Sequence, residues 1–382
     1  MKKTNKALYI IVFSILFLTL QRLSANTVSI DTTAKQETVD SEKSEGFKPG
    51  EMIVEHIIDN HEWHIATIGS HHISIPLPII LFSDGKLDIF MSSNFHHGEE
   101  SFKGYKLELE GKHKGKIVKV LSDGITVDEA ATLPLDFSIT KIVASIFLSI
   151  IFILLIFTSV ASSFKKNQGK APKGIQSFVE PLILFIRDDI AKSSIGEKKY
   201  ARFMPYLLTV FFFIFINNLI GLIPFFPGGV NVTGNIAVTM VLALFTFFLT
   251  AFSGNKNYWM HIVNTPGVPW WLKLPLPLMP IIEFIGFLTK PFVLMIRLFA
   301  NITAGHIIVL GFMSLIFIFG NIKPVLGYGV SPLTILFSIF MTCLELLVAF
   351  LQAYVFTLLS ALYLGMATEE HHPEEHQTEH SH

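Results

Sequence analysis

Polar and apolar residues separate along this chain into distinct regimes. Residues 1–25 open with Lys2 and Lys3, run apolar from Ala7 to Leu20 and end in small residues at Ala25. That order is the order of a secretory signal. Its apolar core of about 14 residues falls short of the ~20 that a spanning helix needs. Leu23 fits poorly at the position three residues before the cut, so an uncleaved anchor is the alternative.

Residues 26–135 are polar and mixed in charge. They hold short alternating runs such as Lys106-Leu107-Glu108-Leu109-Glu110 and turn pairs at Asp84-Gly85 and Asp123-Gly124. The pattern predicts a small strand-containing module, which lies outside the cytoplasmic membrane if the signal is used. From 136 to 366, apolar runs at about 139–160, 204–226, 236–252, 278–319 and 332–364 are long enough to cross a bilayer. The fourth exceeds one bilayer thickness of helix. Residues 175–190 mix apolar groups with Glu180, Arg187, Asp188 and Asp189, as a helix lying in the membrane surface would. Residues 258–276 carry Trp259, Trp270 and Trp271 among prolines, which suits the headgroup belt. Residues 367–382 form a Glu/His-rich tail.

The basic residues orient these spans. Lys165, Lys166, Lys170, Lys173, Arg187, Lys192, Lys198, Lys199 and Arg202 lie between the first and second, whereas residues 224–233 carry no charge. The first connection is therefore expected in the cytoplasm, the mature N-terminus outside and the C-terminus inside. This agrees with the signal without using it.

Composition narrows the choice of function. Hydrophobic residues make up 51% of the chain and charged residues 15%, against about 25% charge in an ordinary soluble domain. A soluble enzyme is excluded. The formal net charge of −1 offers nucleic acid no basic footprint. The single cysteine, Cys343, allows neither an intrachain disulfide nor a cysteine metal cluster. The expected fold is an all-α polytopic membrane protein with five transmembrane helices, the last two a long tilted hairpin, plus the small strand-containing extracytoplasmic N-terminal module.

Five ionisable groups fall inside the apolar runs: Glu283, Lys290, Arg297, His306 and Glu345. At membrane depth each costs about 2.5 kcal/mol or more on insertion scales, so each needs a partner, water or a function. At about 100° per residue, Glu283, Lys290 and Arg297, seven apart, form one stripe, and Asn301 joins it four residues on. His306 points almost oppositely to Arg297. In the last span Glu345 and Gln352 align. One helix thus offers an arginine on one side and a histidine on the other, and the last span a carboxylate and an amide. Arg297 sits mid-run, which argues against snorkelling; a structural ion pair with Glu283 or Glu345 stays open beside transport. His306 alone is equally a hydrogen-bonded packing residue.

Arg297-Leu298-Phe299-Ala300-Asn301 with Ala304-Gly305 resembles the R-L-F-x-N-x-x-A-G signature of subunit a of the F-type ATP synthase membrane sector, the ATPase A chain family. Glu283 and Lys290-Pro291 upstream, Glu345 and Leu351-Gln352-Ala353 downstream, and Asn218 with Leu222-Ile223-Pro224 in the second span extend the resemblance over about 137–366. Two positions depart from many bacterial relatives. His306 stands where they carry glutamate and Glu345 where they carry histidine, an exchange that keeps one acid facing one imidazole. Gly221 stands where some carry an acid.

The resemblance implies a fixed subunit with two proton half-channels beside a rotating ring of c subunits, held by the b-subunit peripheral stalk in a bacterial cytoplasmic (inner) membrane. It implies H+ as the transported ion, with Na+ open, no ATP chemistry in this chain, and no cofactor or metal. Arg297 would face the ring carboxylate and block a direct leak. His306, Glu345, Gln352 and Asn218 would form the path from outside, Asn301 would support the arginine, and Glu283 would line the inner exit or partner Lys290.

Two other readings compete with it. A standalone transporter or channel would explain the intramembrane charges without a partner, although no internal repeat is evident. A membrane-anchored metal sensor is prompted by His56, His61, His64, His71, His72, His96, His97 and His113. Their spacing is too irregular for a recurrent ligand set, which favours solvated or structural histidines.

Overall fold

The computed structural model describes residues 50, 59–68, 71–109, 113–121, 123–166, 169–223, 226–263 and 278–369. The expected signal, most of the tail, His56, Trp270 and Trp271 lie outside the described residues. The chain divides into two compact units: Met1–Phe152 with Ile216–Val241 and Phe299–Ala349, and Ile153–Phe215 with Leu242–Leu298 and Phe350–His382.

Among the described residues of the first unit, seven strands come before the long helices. β1 (Glu62–Ile68) pairs antiparallel with β2 (His71–Pro76), and β3 (Pro78–Ser83) pairs with both β4 (Lys86–Met91) and β7 (Leu135–Asp136). β5 (Tyr105–Leu107) pairs with β6 (Ile117–Lys119). Asp84-Gly85 is the two-residue turn between β3 and β4, with φ of 51° and 75°. Positive φ at both centres matches the twist of a hairpin, and glycine and aspartate tolerate it. The alternation at 106–110 yields only the three-residue β5. Ile79, Leu81, Phe90, Phe95, Tyr105 and Ile117 close a small core, each worth about 1.5–3 kcal/mol when fully buried.

The module passes into the first helix without a linker. Phe137 and Ile139 donate to the Ile80 and Pro78 carbonyls, continuing the ladder beyond the expected boundary at 135, and Lys141 N donates to Asn60 O. α1 (Lys141–Lys166) begins there. Its orphan amides are capped by Asp59 Oδ1, which accepts from Ile142 N at 3.2 Å, and Thr140 Oγ1, which accepts from Val143 N at 3.5 Å. Beside this cap His61 Nε2 donates to Asp136 Oδ2 at 2.8 Å. His97 meets Glu62 at 2.7 Å and His96 meets Glu100 at 3.7 Å. Among the described residues no group of three His, Cys, Asp or Glu is placed to hold a metal ion.

After α1 come α2 (Ile175–Phe185), continued by a π-helical segment Ile186–Lys192, then α3 (Tyr200–Leu222), α4 (Ile236–Ser253) and α5 (Lys256–Val263). α6 (Leu278–Ile322) and α7 (Pro324–Thr368) have 45 residues each. Among the described residues α1, α3, α4, α6 and α7 are long and apolar enough to cross a membrane. α3 starts four residues before, and α7 eight before, the expected spans. Proline at the first position of α7 sacrifices no helical bond, and Pro332, expected to open the span, lies inside the helix.

The second unit packs largely by aromatic contacts. Phe350 lies 6.0 Å from Phe211 and 5.8 Å from Phe215 between ring centroids, and Phe157 lies 4.9 Å from Phe212. Three of its buried hydroxyls are satisfied within their own helix: Thr357, Ser360 and Thr368 each donate to the carbonyl four residues earlier. That return bond is how a helix carries hydroxyls where no water can serve them.

Candidate functional site

Two groups of intramembrane polar residues emerge, one in each unit. In the first unit α6 presents His306 and α7 presents Glu345, and Nδ1 of His306 is hydrogen-bonded directly to Oε1 of Glu345. Glu345 is 7% exposed. Gly305 makes this approach possible: a Cβ built there would stand 3.1 Å from Glu345 Oε1. The other imidazole nitrogen, Nε2, faces Gly221 on α3, 3.7 Å from where a Cβ would be. Gly221 therefore adjoins the histidine, with only hydrogen where a side chain would stand.

Asn218, on α3, is 4% exposed. Its Nδ2 donates to Ala349 O of α7 at 3.2 Å, and its Oδ1 accepts from Thr233 Oγ1 at 2.5 Å. Thr303 Oγ1 of α6 donates to Gly234 O at 3.3 Å. The uncharged segment before α4 thus delivers a buried hydroxyl and a carbonyl to this group of helices. Thr233 and Thr303 escaped the sequence reading because neither is ionisable. The burial of Thr233 follows from an uncharged loop, a signal that had served only to orient the spans.

In the second unit Arg297 is exposed on α6, between exposed Val293, Ile296 and Ala300. It has no ion pair or hydrogen bond among the described residues, so the pairing with Glu283 within that unit is not formed; in the first unit Glu345 is engaged by His306. Asn301 is likewise exposed and makes no hydrogen bond among the described residues; the support expected from its spacing is not made. An exposed arginine on an apolar helix retains all five of its donors for a partner.

Lys290 is half-buried. Its Nζ lies 5.4 Å from the Tyr363 ring centroid and 6.0 Å from that of Tyr258 on α5, within the range of cation–π attraction. Glu283 forms no ion pair among the described residues, so the expected Glu283–Lys290 partnership is at most long-range. Gln352 of α7 is 8% exposed. Tyr206 OH, Thr246 Oγ1 and Ser360 Oγ form a buried hydroxyl chain with steps of 2.7 and 3.2 Å.

The comparisons with known proteins point to one family for the helical part. A family described as ATP synthase A chain matches residues 143–365, and a Domain of unknown function (DUF8433) matches 52–137. ATP synthase subunit a of Chloroherpeton thalassium is 44% identical over 250 residues, covering 63% of this chain and 70% of the relative. ATP synthase subunit a 2 of Chlorobaculum tepidum is 48% identical over 239 residues, covering 61% and 64%. ATP synthase subunit a of Anaeromyxobacter dehalogenans is 41% identical over 253 residues, covering 63% and 61%. With the match to the family spanning more than half its length and including every ionisable residue within its apolar helices beyond α1, the chain belongs to the ATP synthase A chain family.

Proposed function

We propose that this chain is the stationary proton-conducting subunit of an F-type ATP synthase, passing protons by two half-channels to and from a ring of c subunits. The observation that carries this reading is the division of labour on α6. Arg297 is exposed among apolar neighbours, while His306, nine residues on and on the opposite face, is paired with a buried carboxylate.

The chemistry of each group suits its place. Guanidinium does not deprotonate at accessible pH, so Arg297 is a poor proton carrier and a good barrier. Facing a ring carboxylate at low dielectric, it favours the ionised form and promotes release of the proton. His306 and Glu345 exchange a proton across one hydrogen bond, as an imidazole and an acid can near neutral pH. Asn218, with Thr233, would bring the outer path to this pair, and Gln352, two turns along α7 from Glu345, would continue it. Asn301 flanks the arginine on the face offered to the ring, and Glu283 with Lys290 borders the inner exit.

The positive connection between α1 and α3 supports a cytoplasmic placement of that connection, which puts residues 26–135 outside and 367–382 inside a bacterial inner membrane. Residues 1–25 serve as the signal. At 45 residues, α6 and α7 would each be about 67 Å long, about twice the ~30 Å hydrocarbon core. A strongly tilted hairpin following the curve of a ring accommodates that length. One charge crossing 100 mV yields about 2.3 kcal/mol, so several must pass for each ATP. A multi-site rotor and the b-subunit stalk are the partners this requires.

The test is Arg297→Ala in the complex rebuilt in vesicles, reading ATP-driven acidification together with passive proton leak. Lost pumping with increased leak is the expected result. Unchanged pumping and leak would remove the basis of this assignment.

A further inference from the structure

The sheet of β3, β4 and β7 is apolar on both faces. Ile79, Leu81 and Phe90 point inward and belong to the core of the module. By register, the outward positions of the two longer strands stand opposite each other: Phe82 with Leu87, Ile80 with Ile89 and Pro78 with Met91. β7 sets Leu135 beside Phe82. The bonds from Phe137 to Ile80 and from Ile139 to Pro78 carry that third column on along the same outward side. Phe82, Leu87, Ile89, Met91 and Leu135 are exposed, Leu87 and Ile89 at 59% each. An antiparallel sheet with one wet face alternates apolar residues inward with polar residues outward. Here every outward position is apolar, and a contiguous exposed patch of that kind marks a face covered by a partner or a membrane.

The place of the sheet in the chain decides between the two. Its third column ends at Ile139, and α1 begins at Lys141. That helix is long and apolar enough to cross a membrane, and along it Phe147 and Ile151 are exposed in turn. Exposed apolar side chains therefore lead from the sheet into the span. A second tie holds the module down: the Trp63 ring of β1 lies 5.2 Å from that of Phe226, just beyond the end of α3. At the ends of such helices the surface on offer is lipid. The dimensions agree, since three rows two residues apart cover about 13 Å along the strands and three strands about 10 Å across them. A sheet lying along the surface brings all three rows to the headgroup layer, which is about 5–8 Å deep on each side of the hydrocarbon core.

We propose that this sheet face lies on lipid, so that the N-terminal module rests on the bilayer surface beside the start of α1. The exposed side chains of β3, β4 and β7 then turn into the boundary between headgroups and acyl chains. The inference needs α1 to cross the bilayer and makes no use of the proton path, so it goes beyond the function proposed above. It gives the module the task of a foot that fixes the first helix against the membrane.

The experiment uses the whole complex in phospholipid vesicles. The photoreactive residue p-benzoylphenylalanine is placed at position 89 in place of Ile89, at 87 in place of Leu87, and at 99 in place of Glu99, an exposed position of the module outside this face. Phe82 serves as the site should either of the first two not assemble. After irradiation, mass spectrometry of this chain is expected to show a shift by the mass of a phospholipid at positions 87 and 89, stronger than at 99. Cross-links to another protein would make the face a subunit interface and overturn the proposal. No lipid adduct at either position, or labelling no stronger than at 99, would leave the face in water and overturn it as well. A density map of the complex in a lipid disc gives a second check: the sheet is expected against the disc surface, and a sheet held clear of it would sink the idea. Loss or retention of pumping in Arg297→Ala bears only on the proton path, so the two readings fail separately.

Discussion

Nδ1 of His306 and Oε1 of Glu345, 39 residues apart in the chain, are joined directly between α6 and α7. An acid and a base that each alone would be costly in an apolar bundle are held here as one hydrogen-bonded unit. The bond would have the same two ends if acid and imidazole changed places between the helices.

Removing either end should therefore interrupt the same step. Glu345→Gln and His306→Ala are each expected to reduce proton pumping about tenfold or more, about 1.4 kcal/mol in barrier. The double exchange His306→Glu with Glu345→His should pump better than either single change at its positions. Acidification rates of these five variants in vesicles check this, and a double exchange no better than His306→Glu or Glu345→His alone would contradict it.

Gly305→Ala tests how closely the carboxylate is seated. The added methyl would stand 3.1 Å from Glu345 Oε1, and such overpacking costs typically about 1–3 kcal/mol. The expected outcome is reduced pumping in an assembled complex, with little change in passive leak because Arg297 is untouched. Wild-type rates would mean that Glu345 has room to retreat.

Arg297→Lys separates charge from barrier. Lysine keeps the positive charge but loses the planar fork and sheds its proton far more readily when desolvated. ATP-driven acidification should fall and passive leak should rise. Coupled pumping at the wild-type rate would show that any cation suffices there.

The cap of α1 should be sensitive to pH. Burial opposes a charged His61, but the hydrogen bond to Asp136 and the fields of Asp136, Asp59 and Glu62 outweigh it, and its pKa is raised. Burial also works against a charged Asp136, yet the hydrogen bond and charge of His61 and the bonds from Ser138 lower its pKa. The histidine's contribution is full below its ordinary value of about 6.5 and is lost as pH rises through the raised one. That of Asp136 is present above about 3.8 and is lost as pH falls through the lowered one. Asp59 adds a cost of its own: burial raises its pKa, so its ionisation weakens the site above its ordinary value even though its field favours the charged His61. The pair should hold best from mildly acidic pH up to the raised histidine value. Amide hydrogen exchange at residues 137–142 of the intact chain, followed across pH, is expected to slow in that window in the wild type and to lose the dependence in His61→Ala. That substitution should cost about 1–3 kcal/mol by leaving Asp136 without its partner.

Much of this was legible in the residues, and the limits have physical causes. Apolar run length located the five helices that, among the described residues, are long and apolar enough to cross a membrane, and helical arithmetic placed Arg297 and His306 on opposite faces. Periodicity could not place Thr233 beside Asn218, because a loop residue has no period to project. Apolar run length also put the start of the last span at 332, whereas α7 begins at Pro324, a residue that suits a first helical turn. The i+4 spacing of Asn301 from Arg297 gave proximity on a face but not a hydrogen bond, since both side chains point outward. Tyr258 was legible as an aromatic of the membrane boundary, whereas its closeness to Lys290 depends on how α5 folds back.

The unbroken run of backbone bonds from β3 through Phe137, Ile139 and Lys141 into α1 has a mechanical meaning. A flexible tether would let the N-terminal module swing free of the first helix at almost no energetic cost. Here any bending at that joint must first part a ladder of amide–carbonyl bonds, so sheet and helix respond to a sideways load as one stiff lever.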